Sequence, residues 1–235
     1  MKKTIVLIIA TVLAFFSAEA QETNDSLYVF SCEQSETDFQ KCIAIKNRFK
    51  SDLKRWATHM TNVFPLDVNN AIHVDYIITC NKELPIDEIV ETSIQWFNYA
   101  FSSANAVRNA EDNCITANGV LNKIAEDNVN AIYYIKYSSV SVTVDIKIRF
   151  KENRIRFEGY IRHYQILLAD SAMRSQNNLI AIESTYPFEN KSPNKDLYSM
   201  AFINSTSTLI DKANNYVDFL NKNFATGYEN DDDDW

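Results

Sequence analysis

The sequence predicts an α+β protein, an antiparallel β-sheet with helices packed on one face, in the order strand, helix, strand meander, helix. Three observations carry this. Residues 140–164 hold two stretches of apolar–polar alternation that face each other across a short turn. Apolar stripes at helical spacing flank that meander, one over Ile86–Phe101 and one over Leu197–Phe224. Hydrophobic residues make up 46% of 235 positions, enough for a sizeable core.

The elements follow in order. Lys2 and Lys3, the apolar run Ile5–Phe16, and small residues at Ala18 and Ala20 form an export leader, with cleavage expected after Ala20. The run is too short for a span of about 20 residues, so no integral membrane segment is expected after cleavage. Loss of residues 1–20 moves the formal charge from −8 to −9. The expected location is periplasmic or secreted. Residues 21–26 read as polar and frayed, and Leu27–Phe30 as a short strand. Phe39, Cys42, Ile43, Phe49, Leu53, Trp56 and Met60 recur on one helical face. Lys46, Arg48, Lys50, Lys54 and Arg55 lie mostly elsewhere on that helix, which reads as packed on the domain.

Ala71–Cys80 alternates and reads as a half-buried strand. Pro85 then suits the first turn of a helix, where its missing N–H is not needed. Between Cys114 and Leu168 the chain reads as strands, with Gly119–Ala125 and Ala131–Tyr137 as further candidates. The pair Val140–Phe150 and Arg154–Tyr164 can be registered by parity. Phe150 opposite Ile155 also matches Ile148 with Phe157 and Val144 with Ile161. Shifting by one residue would set apolar against polar along the whole ladder, so that register is rejected. The turn then centres on Glu152-Asn153. The register sets Lys147 against Glu158, which is favourable, and Arg149 against Arg156, which is not unless an anion or solvent intervenes. Asn177, Asn178, Pro187, Asn190, Pro193 and Asn194 mark a polar connection before the last helix. Five acids from Glu229 to Asp234 read as a solvated tail. The expected organisation is a leader at 1–20, a strand and helix extension at 21–68, an α+β domain at 69–226 and an acidic tail at 227–235.

Chemistry is excluded more readily than assigned. Gly119, Gly159 and Gly227 are isolated, so no glycine-rich phosphate loop or dinucleotide fingerprint exists. An acidic chain is a poor nucleic-acid binder. No H-E-x-x-H, C-x-x-C or G-x-S-x-G occurs. His59, His73 and His163 are far apart, and His163 reads as a core-edge histidine. His73 and Asp75 share a strand face. Cys32, Cys42, Cys80 and Cys114 allow three pairings, among which Cys32–Cys42 is locally easy, and the sequence does not choose. Adjacent acids at Glu111-Asp112 and Glu126-Asp127 read as loop positions. No catalytic residue, metal ligand or cofactor is expected.

One constellation stands out. The polar face of the two best strands carries Lys147, Arg149, Arg156, Tyr160 and Arg162 as the candidate binding face, with Arg154, Tyr164, Asp145 and Glu158 beside them. Arginines and tyrosines on an open face suit a small anionic ligand, a glycan or an envelope protein.

The runs IDEIVETSIQWFNYAF, CITANGVLNKIAE and VSVTVDIKIRFKENRIRFEGYIRHYQI resemble an exported bacterial domain-of-unknown-function family described as having a TBP-like fold. The resemblance covers under half of the chain, from Ala71 to about Leu168. The helix around Trp56 and the Asn-rich connection fall outside it. It implies the fold and brings no activity or catalytic residue. The likeness to TBP is of fold and does not imply DNA binding. Together these readings favour a non-catalytic binding module using the polar face of its sheet. The alternative is a hydrolase acting on an envelope polymer, with a site assembled from distant residues.

Overall fold

The computed structural model describes residues 27–49, 51–101, 104–109, 113–131, 134–170, 175–185 and 195–225. The expected leader at 1–20, residues 21–26, Glu111-Asp112, residues 186–194 of the polar connection and the acidic tail at 227–235 lie outside the described residues.

The chain opens with β1 (Phe30–Ser31) and two helices, α1 (Glu33–Arg48) and α2 (Leu53–Val63). The sequence predicts one helix here. The break follows from Asp52, whose carboxylate caps α2 by accepting the Arg55 N–H at 3.1 Å. The Trp56 indole N–H donates to the Ile45 carbonyl at 2.6 Å and ties the two helices together. An Asx turn at Asp67, which accepts the N–H groups of Asn69 and Ala71, leads into β2 (Ile72–Cys80). Helix α3 (Ile86–Ala100) follows, with Pro85 at its cap.

The meander comprises β3 (Ala104–Asn109), β4 (Cys114–Ala131), β5 (Tyr134–Lys151), β6 (Arg154–Ile161), β7 (His163–Asp170) and β8 (Ser175–Ala181). A 3-10 turn (Ile182–Thr185) and the long helix α4 (Lys195–Ala225) complete the described chain. These strands form one antiparallel 8-stranded sheet in the order β1-β2-β6-β5-β4-β3, and β7 pairs with both β5 and β8. Helices cover one face. Leu209 of α4 lies against Gly159, and Trp96 of α3 meets Phe157. The architecture is the α+β class expected.

The β5–β6 register is the predicted one, with Phe150 opposite Ile155, Ile148 opposite Phe157 and Arg149 opposite Arg156. Ile148 and Phe157 are both fully buried on the helix side. Four readings change. β1 starts at Phe30 rather than Leu27. Ala131–Tyr137 is not a separate strand: Ala131 closes β4 and pairs with Tyr134 at the start of β5. Ser175–Ala181, read as connection, is a strand; Asn177 and Asn178 are exposed on it, at an edge where packing makes few demands. Glu126-Asp127 lies within β4, and Tyr137 donates to Glu126 at 2.5 Å.

A bulge explains the largest departure. Asp145 faces Tyr160, yet Val142 faces Tyr164, so the strand opposite β5 carries one extra residue near Arg162. The extra residue reverses parity. Tyr164 is therefore buried in the core instead of joining the polar face, and His163 is exposed instead of edging the core. None of the four cysteines is in a disulfide; Cys42, Cys80 and Cys114 are buried and Cys32 half-buried. Burial pushes the Cys42 thiol up to about 12.

Candidate functional site

Strand pairing lays the polar face out in rows. His73, Tyr160, Asp145 and Asn118 align across β2, β6, β5 and β4. Asp75, Glu158 and Lys147 form the next row, and Ile77, Arg156 and Arg149 the one after. Alternation places all of them away from the helices.

The two arginines that should repel each other are separated by carboxylates. Arg156 grips Asp75 with two bonds, Nε to Oδ1 at 2.8 Å and Nη2 to Oδ2 at 2.5 Å. Arg149 Nη2 donates to Glu158 at 2.5 Å, and Arg156 lies 3.7 Å from the same carboxylate. Glu158 thus takes the diagonal Arg149 rather than the directly opposite Lys147. Tyr160 also donates to Glu158, at 3.3 Å. Arg162 bonds Asp145 at 2.6 Å, and Asn118 donates to the same aspartate. Glu158 is 5% exposed, and these donors satisfy its buried carboxylate oxygens.

Bonding to Arg156 holds the Asp75 carboxyl below its ordinary range. The folded pKa is lower than the unfolded one, near 4. The pair therefore stabilises the fold above about pH 4, and that contribution fades as pH falls through the lowered value. At Asp67 burial pushes the carboxyl up, but hydrogen bonds from Ala71 and Asn69 outweigh it and hold it low as well. Asp75→Asn should therefore flatten part of the acid limb of stability. Urea unfolding from about pH 6 to pH 2.5 checks this, and an unchanged slope would refute the pairing.

Beside this lattice lies a shallow groove of about 430 Å³. Ile77, Asn113, Arg149, Phe150, Lys151, Arg154 and Arg156 line it. Among these described residues four are cations and none is a carboxylate. Ile77, 49% exposed, gives it an apolar patch. Among the described residues, neither Lys151 nor Arg154 has an ion-pair partner within 4 Å, and the buried Nε of Arg149 has no hydrogen-bond acceptor. Such a groove suits an anion that also carries an apolar part.

His73, Asp75 and Glu158 bring ligand atoms within 4.8 Å of one another. They are the described residues that could hold a metal. Both carboxylates are already engaged by guanidinium groups, which would repel an incoming cation at this distance. His73 stacks on Tyr160 with centroids 4.3 Å apart and planes at 8°, and its buried Nε2 has no hydrogen-bond partner among the described residues.

The structure thus unites Arg149, Arg156 and Tyr160 in one network and sets Lys147 in the adjoining row. Arg162 lies to the side, pairs with Asp145 and sits 5.6 Å from the Tyr160 ring. Sequence reasoning missed Asp75 as the clamp of Arg156, and missed Ile77, Asn113 and Lys151 as groove residues. The signal for Asp75 was its place on the polar side of β2. What was lacking was the pairing of β2 with β6, which brings together residues some 80 positions apart.

No family profile matches this chain, and no curated protein matches it. The chain is similar to two solved bacterial structures. One is a TBP-like protein from Parabacteroides distasonis ATCC 8503, with 13% identity and a TM-score of 0.45, covering 68% of this chain and 98% of that one. The other is a DUF4468 family protein from Bacteroides ovatus ATCC 8483, with 11% identity and a TM-score of 0.37, covering 77% and 95%. The first carries the same TBP-like description as the resemblance read from the sequence. Neither assigns a role to any residue here. Among the described residues, no helix is long and apolar enough to cross a membrane.

Proposed function

We propose that this chain is an exported, non-catalytic binding module whose polar sheet face receives an anionic ligand in the groove beside Arg149 and Arg156. The observation that carries the reading is the groove's lining among the described residues: four cations, an exposed Ile77 and no carboxylate. The neighbouring lattice supports it by fixing two of those cations. Arg156 and Arg149 are held by Asp75 and Glu158, so their outward N–H groups are placed before a ligand arrives. Lys151 and Arg154 then supply charge that no carboxylate among the described residues pairs. The leader at residues 1–20 belongs to the same proposal and supports export.

The test uses a defined acidic glycan, tetragalacturonate, with inorganic phosphate as a simpler anion. Calorimetry on the chain without residues 1–20 should show saturable binding that weakens with salt. Lys151→Glu with Arg154→Glu should lower the affinity at least about tenfold, since two charge contacts reverse sign. Neither residue is in an ion pair among the described residues, so the melting temperature should hold. Equal affinity in the variant would remove the groove from consideration.

A further inference from the structure

We propose that the groove selects a phosphate monoester of a small apolar group, and that it does so by reading the ester's second negative charge. This deepens the anion reading above and rests on it.

Charge decides the anionic group. Strand register sets the groove's cations in two cross-strand pairs on one face, Arg149 opposite Arg156 and Lys151 opposite Arg154. Neighbouring strands lie about 5 Å apart and the two rows about 7 Å apart. Four cationic side chains thus frame a patch the size of one compact anion. Asp75 and Glu158 bind Arg156 and Arg149 from the inner side, in the next row along the sheet. Lys151 and Arg154 stand in the outer row, where no carboxylate among the described residues pairs them. Lys147 and Glu152 flank the groove without lining it, and their charges offset each other. Among the described residues the wall therefore carries a surplus of two positive charges.

A carboxylate or a sulfate ester brings one negative charge to that surplus. A phosphate monoester brings close to two at pH 7, because its second pKa is near 6. It also presents three acceptor oxygens, which suits forked guanidinium donors. Asn113 lines the same wall and adds an uncharged amide donor.

Shape decides the substituent. A bare phosphate fills only a fraction of about 430 Å³. Ile77 lies opposite Arg156 on β2 and is exposed on the polar side of the sheet. An apolar group on the fourth phosphate oxygen can cover Ile77 while the other three oxygens face the cations. That contact removes apolar surface from water and adds to the affinity.

A second cavity, of about 400 Å³ at the junction of α1 and α2, is no rival. Its described lining holds one arginine and one carboxylate, Arg55 and Asp52, and these lie 3.7 Å apart and cancel.

The experiment is calorimetry on the full chain with phenyl phosphate and phenyl sulfate, which share a shape and differ by one charge. At about pH 7.5 phenyl phosphate should bind roughly five- to tenfold more tightly, the worth of one extra charge near a cation. At about pH 5 the phosphate ester is a monoanion, so its advantage over the sulfate should vanish. Lys151→Gln with Arg154→Gln removes the surplus and should erase the same advantage at the higher pH. Methyl phosphate should bind more weakly than phenyl phosphate, and Ile77→Ser should close that gap. Equal affinity for the two phenyl esters at the higher pH overturns the proposal but leaves the anion site standing. An advantage that persists at the lower pH overturns it too, as does tetragalacturonate binding more tightly than phenyl phosphate. Absence of binding by every anion sinks the site itself. Phosphatidylcholine vesicles with and without phosphatidic acid identify the source of the ester. Pelleting that needs phosphatidic acid and is reversed by phenyl phosphate places a lipid headgroup in the groove. Protein that binds phenyl phosphate yet stays in solution takes a free ester.

Discussion

Replacing Gly119 by alanine is expected to lower stability by about 3 kcal/mol, the upper part of the range for overpacking a filled interior. A Cβ at Gly119 would lie 2.4 Å from both Cγ and Cδ1 of Phe101 and 3.0 Å from its Cβ. No rotamer of alanine relieves this, so the ring must leave its seat. Phe101 is 6% exposed and stacks with Phe97 and edge-on with Trp96. Its displacement also disturbs Lys212, which lies 5.3 Å over the ring and donates to the Ala100 carbonyl at 2.5 Å. Urea unfolding measures the loss. Phe101→Ala removes the two closest obstacles, Cγ and Cδ1, and leaves only the tight Cβ contact, so the double variant should cost much less than the sum of the two single changes. Strict additivity would show that the clash is not the cause.

Trp96→Ala should cost about 3–5 kcal/mol, the usual penalty for truncating a buried large aromatic. Trp96 is 2% exposed and sits where four rings converge. Tyr216 and Phe97 lie 4.9 and 5.0 Å away, and Phe101 and Phe157 meet it edge-on at 5.9 and 6.0 Å. These rings come from both helices and the sheet, so the hole opens between layers, where backbone cannot easily close it. At a domain of this size the melting temperature should fall about 10 °C. Tyr99→Ala is the control: Tyr99 is 80% exposed and should shift melting little. A melting temperature unchanged by Trp96→Ala would mean that α3 does not dock against β6.

The strand pair 140–164 was legible because its two faces obey different chemistry. Apolar Ile148 and Phe157 could match only in one register, and that register carried Arg149, Arg156 and Glu158 with it. Local alternation could not disclose the bulge at Arg162, which rests on one extra residue against β5, so Tyr164 was placed on the wrong face. The break between α1 and α2 was written in Asp52, a good capping residue, but the apolar spacing from Phe49 to Trp56 ran smoothly across it. Gly119 was legible only by exclusion. An isolated glycine inside a strand marks a close approach, yet the ring that approaches comes from another element. The groove was half legible. Its cations lie on adjacent strands, while Ile77 and Asp75 arrive through a pairing that no local pattern encodes.

Asn221 bears on how the molecule is assembled during synthesis. Its amide accepts the Phe30 N–H at 2.8 Å and donates to the Phe30 carbonyl at 2.9 Å, sealing the outer side of β1 as another strand would. The earliest described strand is thus latched by a residue translated 191 positions later. A nascent polypeptide still lacking the last two turns of α4 would keep that latch open. Closure of the sheet's first edge is therefore a late event on the ribosome's clock.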